Sequence, residues 1–422
     1  MKSPLRYARE RSRRDSTEGE ADREDRKILA AVPITLTRIA KRRASVRIAA
    51  QPRFAGEVKR VAAILPPREG FGPDRAGAVG LLVRRLAIAD GITTVIGGPQ
   101  TGDPFCDVTF ESIPPARFLP LNANLRYAFA VARWLRTLLP DLVEVYNRPD
   151  IALALARLLP RIPICLNLQN DPQGMRNART PGQRARLLHR LARVICASDF
   201  LRGRLMEGIG APPRLAPVVV HNTIDMNALP APRPREPLIL FAGRIVRDKA
   251  PDSFVAACAE ALPQLPGWRA EMIGADRFGP DTPDTDFART VRSAAERAGV
   301  KALGYRDHEA VLQAMASAAI VVVPSRWQEP FGLVALEALG CGAALVCSDR
   351  GGLREVGGEE AVYANPDDPT GLAAAILALA NDPAHRAALA QAGRERARLF
   401  DVPVVAARLA AARQEVLHAA RG

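Results

Sequence analysis

The chain has 422 residues, 48% of them hydrophobic, and a formal net charge of +14. This length and apolar content suit two globular domains, and no apolar run reaches the roughly 18–20 residues of a membrane-spanning helix. The charge is uneven: residues 1–60 hold 17 Lys and Arg against 8 Asp and Glu, so most of the basic excess belongs to one terminal stretch, which argues against nucleic acid as a partner of the folded domains. Six scattered cysteines without a CxxC spacing predict buried thiols in a reducing cytoplasm. Five histidines without ligand spacing give no metal motif.

Residues 1–27 alternate charge, lack the apolar core of a secretory leader and predict disorder. Residues 28–60 mix short apolar clusters with Arg38, Lys41, Arg42, Arg43 and Arg47. That stretch fits an anionic membrane surface, a poorly ordered tail, or a start assigned too early. Pro33 and the β-branched residues weaken a long helix there.

Regular patterning begins at Val61. VAAIL predicts a strand, PPREGFGPDRAGAVG a Gly- and Pro-rich turn, and LLVRRLA a helix. Strands follow at 92–97, 142–146 and 164–169, with helical periodicity over 124–139, IALALARLL and PGQRARLLHRLAR between and after them. VICAS and VVVHN predict further strands. The Pro-rich run 228–237 breaks the pattern, and strand–helix alternation then restarts with LILFAG. Two Ala/Arg-rich helices, about 383–399 and 403–420, end the chain. The expected organisation is a basic extension over 1–59, a first domain over 60–227, a linker over 228–237, a second domain over 238–400, and a terminal helix over 401–422 packing back toward the first domain. Each domain is expected to be an α/β doubly wound parallel sheet, the two facing each other across a cleft.

The most informative stretch is VVVPSRWQEPFGLVALEALGCGAALV, residues 321–346. A buried strand leads through a turn-rich loop to a helix opening near Gly332. A helix start offers free N–H groups and partial positive charge to a phosphate, and Gly332 has no Cβ to block the approach. Glu329 in the loop and Glu337 on the helix, with seven residues between them, could hold hydroxyl-rich groups. Upstream, Arg244 and Lys249 follow the strand LILFA, where two cations could neutralise a diphosphate.

GRIVRDKA followed by PSRWQEPFGLVALEALGCGAALVCSDRGGLREV, with HNTID (221–225) before the linker in support, resembles the retaining glycosyltransferases of family four, which have the GT-B fold. The resemblance spans about residues 60–400. It implies that Arg244 and Lys249 bind the diphosphate of a nucleotide-sugar donor and assist its departure, with Glu329 on the transferred sugar and Glu337 on the ribose. It implies that the amides of Phe331, Gly332, Leu333 and Val334 cradle sugar and phosphate, that Tyr305 and Arg306 flank the base, and that the loop of Gly70 and Gly72 approaches from the first domain. Neither a metal nor another cofactor is implied. The chain departs from many relatives in one place: a first-domain histidine is replaced by VYNRPD, so Asn147, Arg148, Asn170 and Asp171 become the acceptor-side candidates. The expected reaction is hexose transfer from a nucleoside-diphosphate sugar to a glycan or lipid-linked acceptor in lipopolysaccharide or exopolysaccharide synthesis. The expected location is the cytoplasm, with visits to the inner membrane face. The alternatives are an epimerase or phosphorylase of similar shape, or a catalytically silent scaffold.

Overall fold

The structure is a computed structural model that describes residues 58–421 apart from 74, 118–119, 211–214, 232 and 277–283. The basic stretch through residue 57, and with it the expected membrane-surface segment, lies outside the described residues.

The first domain runs β1 (Val61–Ile64), α1 (Ala78–Asp90), β2 (Thr93–Gly97), β3 (Phe110–Ser112), α2 (Ala123–Leu138), β4 (Leu142–Tyr146), α3 (Pro149–Leu158), β5 (Ile164–Leu168), α4 (Pro181–Arg190), β6 (Arg193–Cys196), α5 (Asp199–Met206) and β7 (Val218–Val219). Its strands pair in the order β3-β2-β1-β4-β5-β6-β7, all parallel. The central strands are buried along their whole length, as continuous apolar runs must be when helices cover both faces. Local chemistry sets the helix starts. Asn122 accepts the amide of Leu125, and Thr180 with Gln183 forms a reciprocal capping box.

The second domain runs β8 (Glu236–Ala242), α6 (Pro251–Ala261), β9 (Arg269–Ile273), α7 (Asp286–Arg297), β10 (Val300–Gly304), α8 (His308–Ser317), β11 (Ala318–Val323), α9 (Leu333–Gly340), β12 (Ala344–Cys347), α10 (Leu353–Gly357), β13 (Ala361–Tyr363), α11 (Pro369–Asn381) and α12 (Pro383–Ala397). Its parallel order is β10-β9-β8-β11-β12-β13. In each sheet the strand order reverses once near the middle, between β1 and β4 and between β8 and β11. Crevices open at the carboxyl ends of strands at such reversals.

Two features were not legible locally. Helix α1 starts at Ala78, inside the expected turn, because the Glu69 carboxylate accepts the amide of Gly80 and so holds the helix start. The three-residue edge strand β3 was too short to show a period.

The chain crosses between the domains twice, and the crossings are joined. The amide of Ile224 donates to the carbonyl of Phe400, and that of Val402 to the carbonyl of Ile224. Ile224 packs in the second domain's core with Leu238, Phe331 and Leu339. Beyond the second crossing, α13 (Val402–Arg421) returns to the first domain. Val405, Leu409, Ala412 and Val416 enter the cluster built on Val61, Leu82 and Val95. Each buried Val or Leu there contributes roughly 1.5–3 kcal/mol. Arg413, only 3% exposed, donates to both oxygens of the fully buried Glu144 at 2.8 and 3.1 Å and to Asp90 at 2.6 Å.

The cysteines are free thiols; Cys106 is exposed and the other five are buried. Burial pushes Cys196 and Cys341 up to about 12. No helix among the described residues is long and apolar enough to cross a membrane.

Candidate active site

The carboxyl ends of the two sheets meet around a cavity of about 440 Å³. The second domain supplies Gly243, Lys249 and the run from Val323 through Val334, with gaps at Arg326 and Gln328. The first supplies Glu69, the start of α1, Gln169 and Asn170.

The second-domain wall is built on backbone contacts. After β11, the amides of Arg326 and Trp327 donate to the Asp248 carbonyl at 2.8 and 3.1 Å, tying this loop to the Lys249 turn. Gly351 and Gly352 press on the other side of the loop. The amide of Gly352 donates to the Glu329 carbonyl at 2.7 Å, and a Cβ on Gly351 would lie 2.2 Å from that oxygen. Gly351 also has φ 62°, so glycine is required there twice over. Gly332 caps α9 at φ 108°, and a Cβ would come within 2.7 Å of the Leu353 side chain. The reason for glycine at 332 is therefore left-handed backbone and packing on Leu353, a correction to the expectation that it clears a ligand's path. The unsatisfied N–H groups of the first turn of α9 open at the cavity.

Glu329 is 6% exposed and forms an ion pair with Lys249, with Ser325 Oγ 2.7 Å from the same carboxylate oxygen. The sequence reading gave these two residues separate partners. A carboxylate so deeply buried needs a compensating charge, and Lys249 supplies it. Lys249 Nζ also lies 5.2 Å from the centroid of the Trp327 ring. Arg244 is half-buried beyond the end of β8 and does not line the cavity. Glu337 also lies outside the lining; its Oε1 is 2.8 Å from His308 Nε2. Tyr305 and Arg306 follow the edge strand β10 at the same end of the sheet, exposed and away from the lining.

The first-domain wall is made differently. Gly70 and Gly72 are enclosed by backbone, with Cβ positions 2.2 Å from the Arg75 carbonyl and 2.4 Å from that of Asp103. They shape the loop from behind, while Glu69, Gly77, Ala78 and Val79 line the cavity. Burial raises the Glu69 carboxyl, opposed by the Gly80 amide, the charge of Arg148 and the Gly77 amide. Asn147 is 4% exposed at φ 53°, and its Oδ1 accepts the Gln169 amide at 2.7 Å, so it joins the ends of β4 and β5. Asp171 pairs with Arg204 at 2.9 Å and accepts the amide of Gln173. Of the four acceptor-side candidates, Asn170 alone lines the cavity, and the sequence reading passed over its neighbour Gln169. It also passed over Glu69 and Trp327, although Glu69 directly precedes Gly70 and Trp327 lies inside the motif.

Beside the cavity the domains touch. Ser198 Oγ donates to the Pro330 carbonyl at 2.5 Å. Glu355 accepts the amides of Asp199 and Phe200, both at 2.7 Å, and so caps α5 across the interface. Burial acts to raise the Glu355 carboxyl, but His221 and the two amides outweigh it and hold it low. Asp199, His221 and Glu355 bring ligand-type atoms within 4.8 Å of one another. Both Glu355 oxygens already accept amide protons, so the group serves as an interdomain seat.

Two facing doubly wound parallel-sheet domains, meeting at a cleft with a helix start and a cation on one side, are the architecture of the GT-B class of protein. Comparison with known proteins agrees. Residues 227–396 match the family profile "Glycosyl transferases group 1" and residues 79–228 match "Glycosyltransferase Family 4". The chain belongs to this glycosyltransferase family. It is 30% identical to a glycogen synthase of Mycobacterium tuberculosis over 276 residues, covering 61% of this chain and 64% of that protein. It is 33% identical to a D-inositol 3-phosphate glycosyltransferase of Kineococcus radiotolerans, covering 49% and 53%. The matches thus span less than two thirds of these relatives. Among solved structures, sucrose-phosphate synthase of Thermosynechococcus elongatus superposes with a TM-score of 0.67 at 21% identity, covering 85% of this chain and 100% of that one. An Anabaena protein crystallised with UDP-glucose superposes with a TM-score of 0.65 at 19% identity, covering 83% and 98%.

Proposed function

We propose that this protein transfers a hexose-type sugar, with retention, from a nucleoside-diphosphate sugar to a glycan or lipid-linked acceptor in surface-polysaccharide synthesis. The observation that carries the reading is one cavity with Lys249, Glu329 and the α9 helix start on one wall and Glu69, Gln169 and Asn170 on the other. The UDP-glucose in the Anabaena structure supports a nucleotide-sugar donor.

In this reading the diphosphate lies against the free amides of residues 331–334, with Lys249 and Arg244 supplying positive charge. Lys249 leaves Glu329 for the phosphate, and Glu329 then accepts hydrogen bonds from the sugar hydroxyls. The bond from the anomeric carbon to the β-phosphate oxygen breaks, and its electron pair leaves with the diphosphate. The acceptor hydroxyl attacks the same face and its proton passes to the departing phosphate oxygen. The cations and helix amides stabilise that charge as it develops, so the reaction needs neither a metal nor an enzymic nucleophile. Unchanged turnover in a chelator is expected.

A screen of UDP-, GDP- and ADP-sugars for nucleoside diphosphate release, with and without membrane extract, tests the reading. Release that depends on extract and disappears in Lys249→Ala supports it. Equal nucleotide binding by Lys249→Ala and wild type would remove the donor-site assignment. The acceptor class rests on the basic stretch 28–60 as a contact for anionic membrane. Transfer to soluble acceptors alone, with no binding to anionic vesicles, would remove that part.

A further inference from the structure

Glu337 stands on α9, and its side chain is 15% exposed, so its charge requires a nearby partner. The partner comes from another element. His308 is the first residue of α8, held there by the Asp307 cap, whose Oδ1 accepts the Ala310 amide at 2.8 Å. Its Nε2 lies 2.8 Å from Glu337 Oε1. No hydrogen bond to the second oxygen occurs among the described residues. A carboxylate pinned at one oxygen keeps the other at a defined place for a ligand's hydroxyl donors.

We propose that His308 is a positioning residue for ribose recognition: it anchors one oxygen of Glu337 so that the other receives the ribose hydroxyls of the donor nucleotide. This rests on the nucleotide-sugar donor proposed above and on the ribose role that the family resemblance implies for Glu337. The charged groups facing the imidazole are Glu337 from α9, Arg85 from α1 of the first domain and Asp307 beside it. Arg85 is fixed by donating to the Thr223 carbonyl at 3.0 Å, so part of the charge around Glu337 comes from the opposite domain. The hydrogen bond to Glu337 raises the imidazole above its ordinary value, against burial and Arg85. The anchor is a charged pair at low pH and a neutral hydrogen bond after the proton is lost.

The test titrates wild type, His308→Ala, His308→Gln and Glu337→Ala with UDP, ADP and GDP and with the 2′-deoxy counterpart of each. For the nucleotide that binds wild type best, His308→Ala is expected to weaken the ribonucleotide about tenfold and the 2′-deoxy form far less. A purely structural role would weaken both alike. His308→Gln, which keeps an N–H donor, is expected to recover most of the preference at pH 8. Wild type should gain on His308→Gln as the pH falls through the imidazole titration. If Glu337→Ala loses the ribose preference while His308→Ala keeps it, the role of His308 is overturned and the ribose site stands. If Glu337→Ala keeps it, the ribose role of Glu337 and the inference fall while the donor reading stands; if no nucleotide binds wild type, the donor reading fails and the inference with it.

Discussion

The two walls of the cleft come from sheets of the same kind, yet they are assembled in opposite ways. The second-domain wall is largely one continuous run, Val323 to Val334, backed by a Gly-Gly pair that lets backbone pack on backbone. The first-domain wall collects Glu69, the start of α1 and the Gln169–Asn170 pair from separate loops, and its domain is completed by the last helix of the chain. The polar groups nearby are mostly committed: Asn147 to the Gln169 amide, Asp171 to Arg204, Glu69 to the α1 helix start. The lesson is that the second-domain wall is built into local chain geometry, whereas the first-domain wall depends on long-range assembly and leaves few side chains uncommitted.

Breaking the long-range assembly gives the largest expected effect. Arg413→Ala leaves Glu144 buried without its cation, and losing one partner of such a pair costs about 3–5 kcal/mol. Chemical denaturation is expected to show this loss, with the first domain unfolding ahead of the second. A single transition at the wild-type midpoint would mean that the terminal helix is not what completes the first domain. Breaking the local wall should act mainly on chemistry. Lys249→Ala is expected to lower turnover about 10²–10³-fold in a variant that is still folded, together with a lower melting temperature because buried Glu329 loses its cation. Asn170→Ala should instead raise the acceptor KM several-fold, about 1 kcal/mol. Steady-state kinetics on both variants would reverse the comparison if Asn170→Ala proved the more damaging.

Gly351→Ala joins the two kinds of effect. A Cβ 2.2 Å from the Glu329 carbonyl, at φ 62°, should cost about 1–3 kcal/mol of stability and displace Glu329. Calorimetry and turnover should fall together in that variant.

The smallest effect contrasts two acidic helix caps. Glu69 has a raised pKa in the fold, chiefly from burial, so folding takes up protons. Its contribution is fully present below the unfolded value and is lost as the pH rises through the folded one. Glu355 is depressed, so its contribution is present above the unfolded value and is lost as the pH falls through the folded one. Glu69→Gln should therefore raise melting temperature slightly at pH 7 and have no such benefit in acid. Glu355→Gln should lower it at pH 7, with the gap closing in acid. Melting curves from pH 3 to 8 check both signs.

How much was legible follows the same division. The alternation of apolar runs with amphipathic helices gave two parallel-sheet domains, because burial on both faces of a strand is written in consecutive residues. Lys249, Glu329 and the α9 helix start could be picked out because the motif is contiguous and ordered along the chain. Their pairing could not, since Lys249 and Glu329 are 80 residues apart and meet only when β8 and β11 lie side by side. Gln169 and His308 carried no local signal for the same reason: an ordinary polar residue becomes part of a site when another element arrives beside it. The sequence alone determined the fold class, the family and the local geometry of the second-domain wall. Only the tertiary structure decided which charges neutralise one another, which candidate side chains are already occupied, and which residues of the first domain face the cleft. Those are questions of distance between strand ends, and strand order in a parallel sheet is settled by packing rather than by position along the chain.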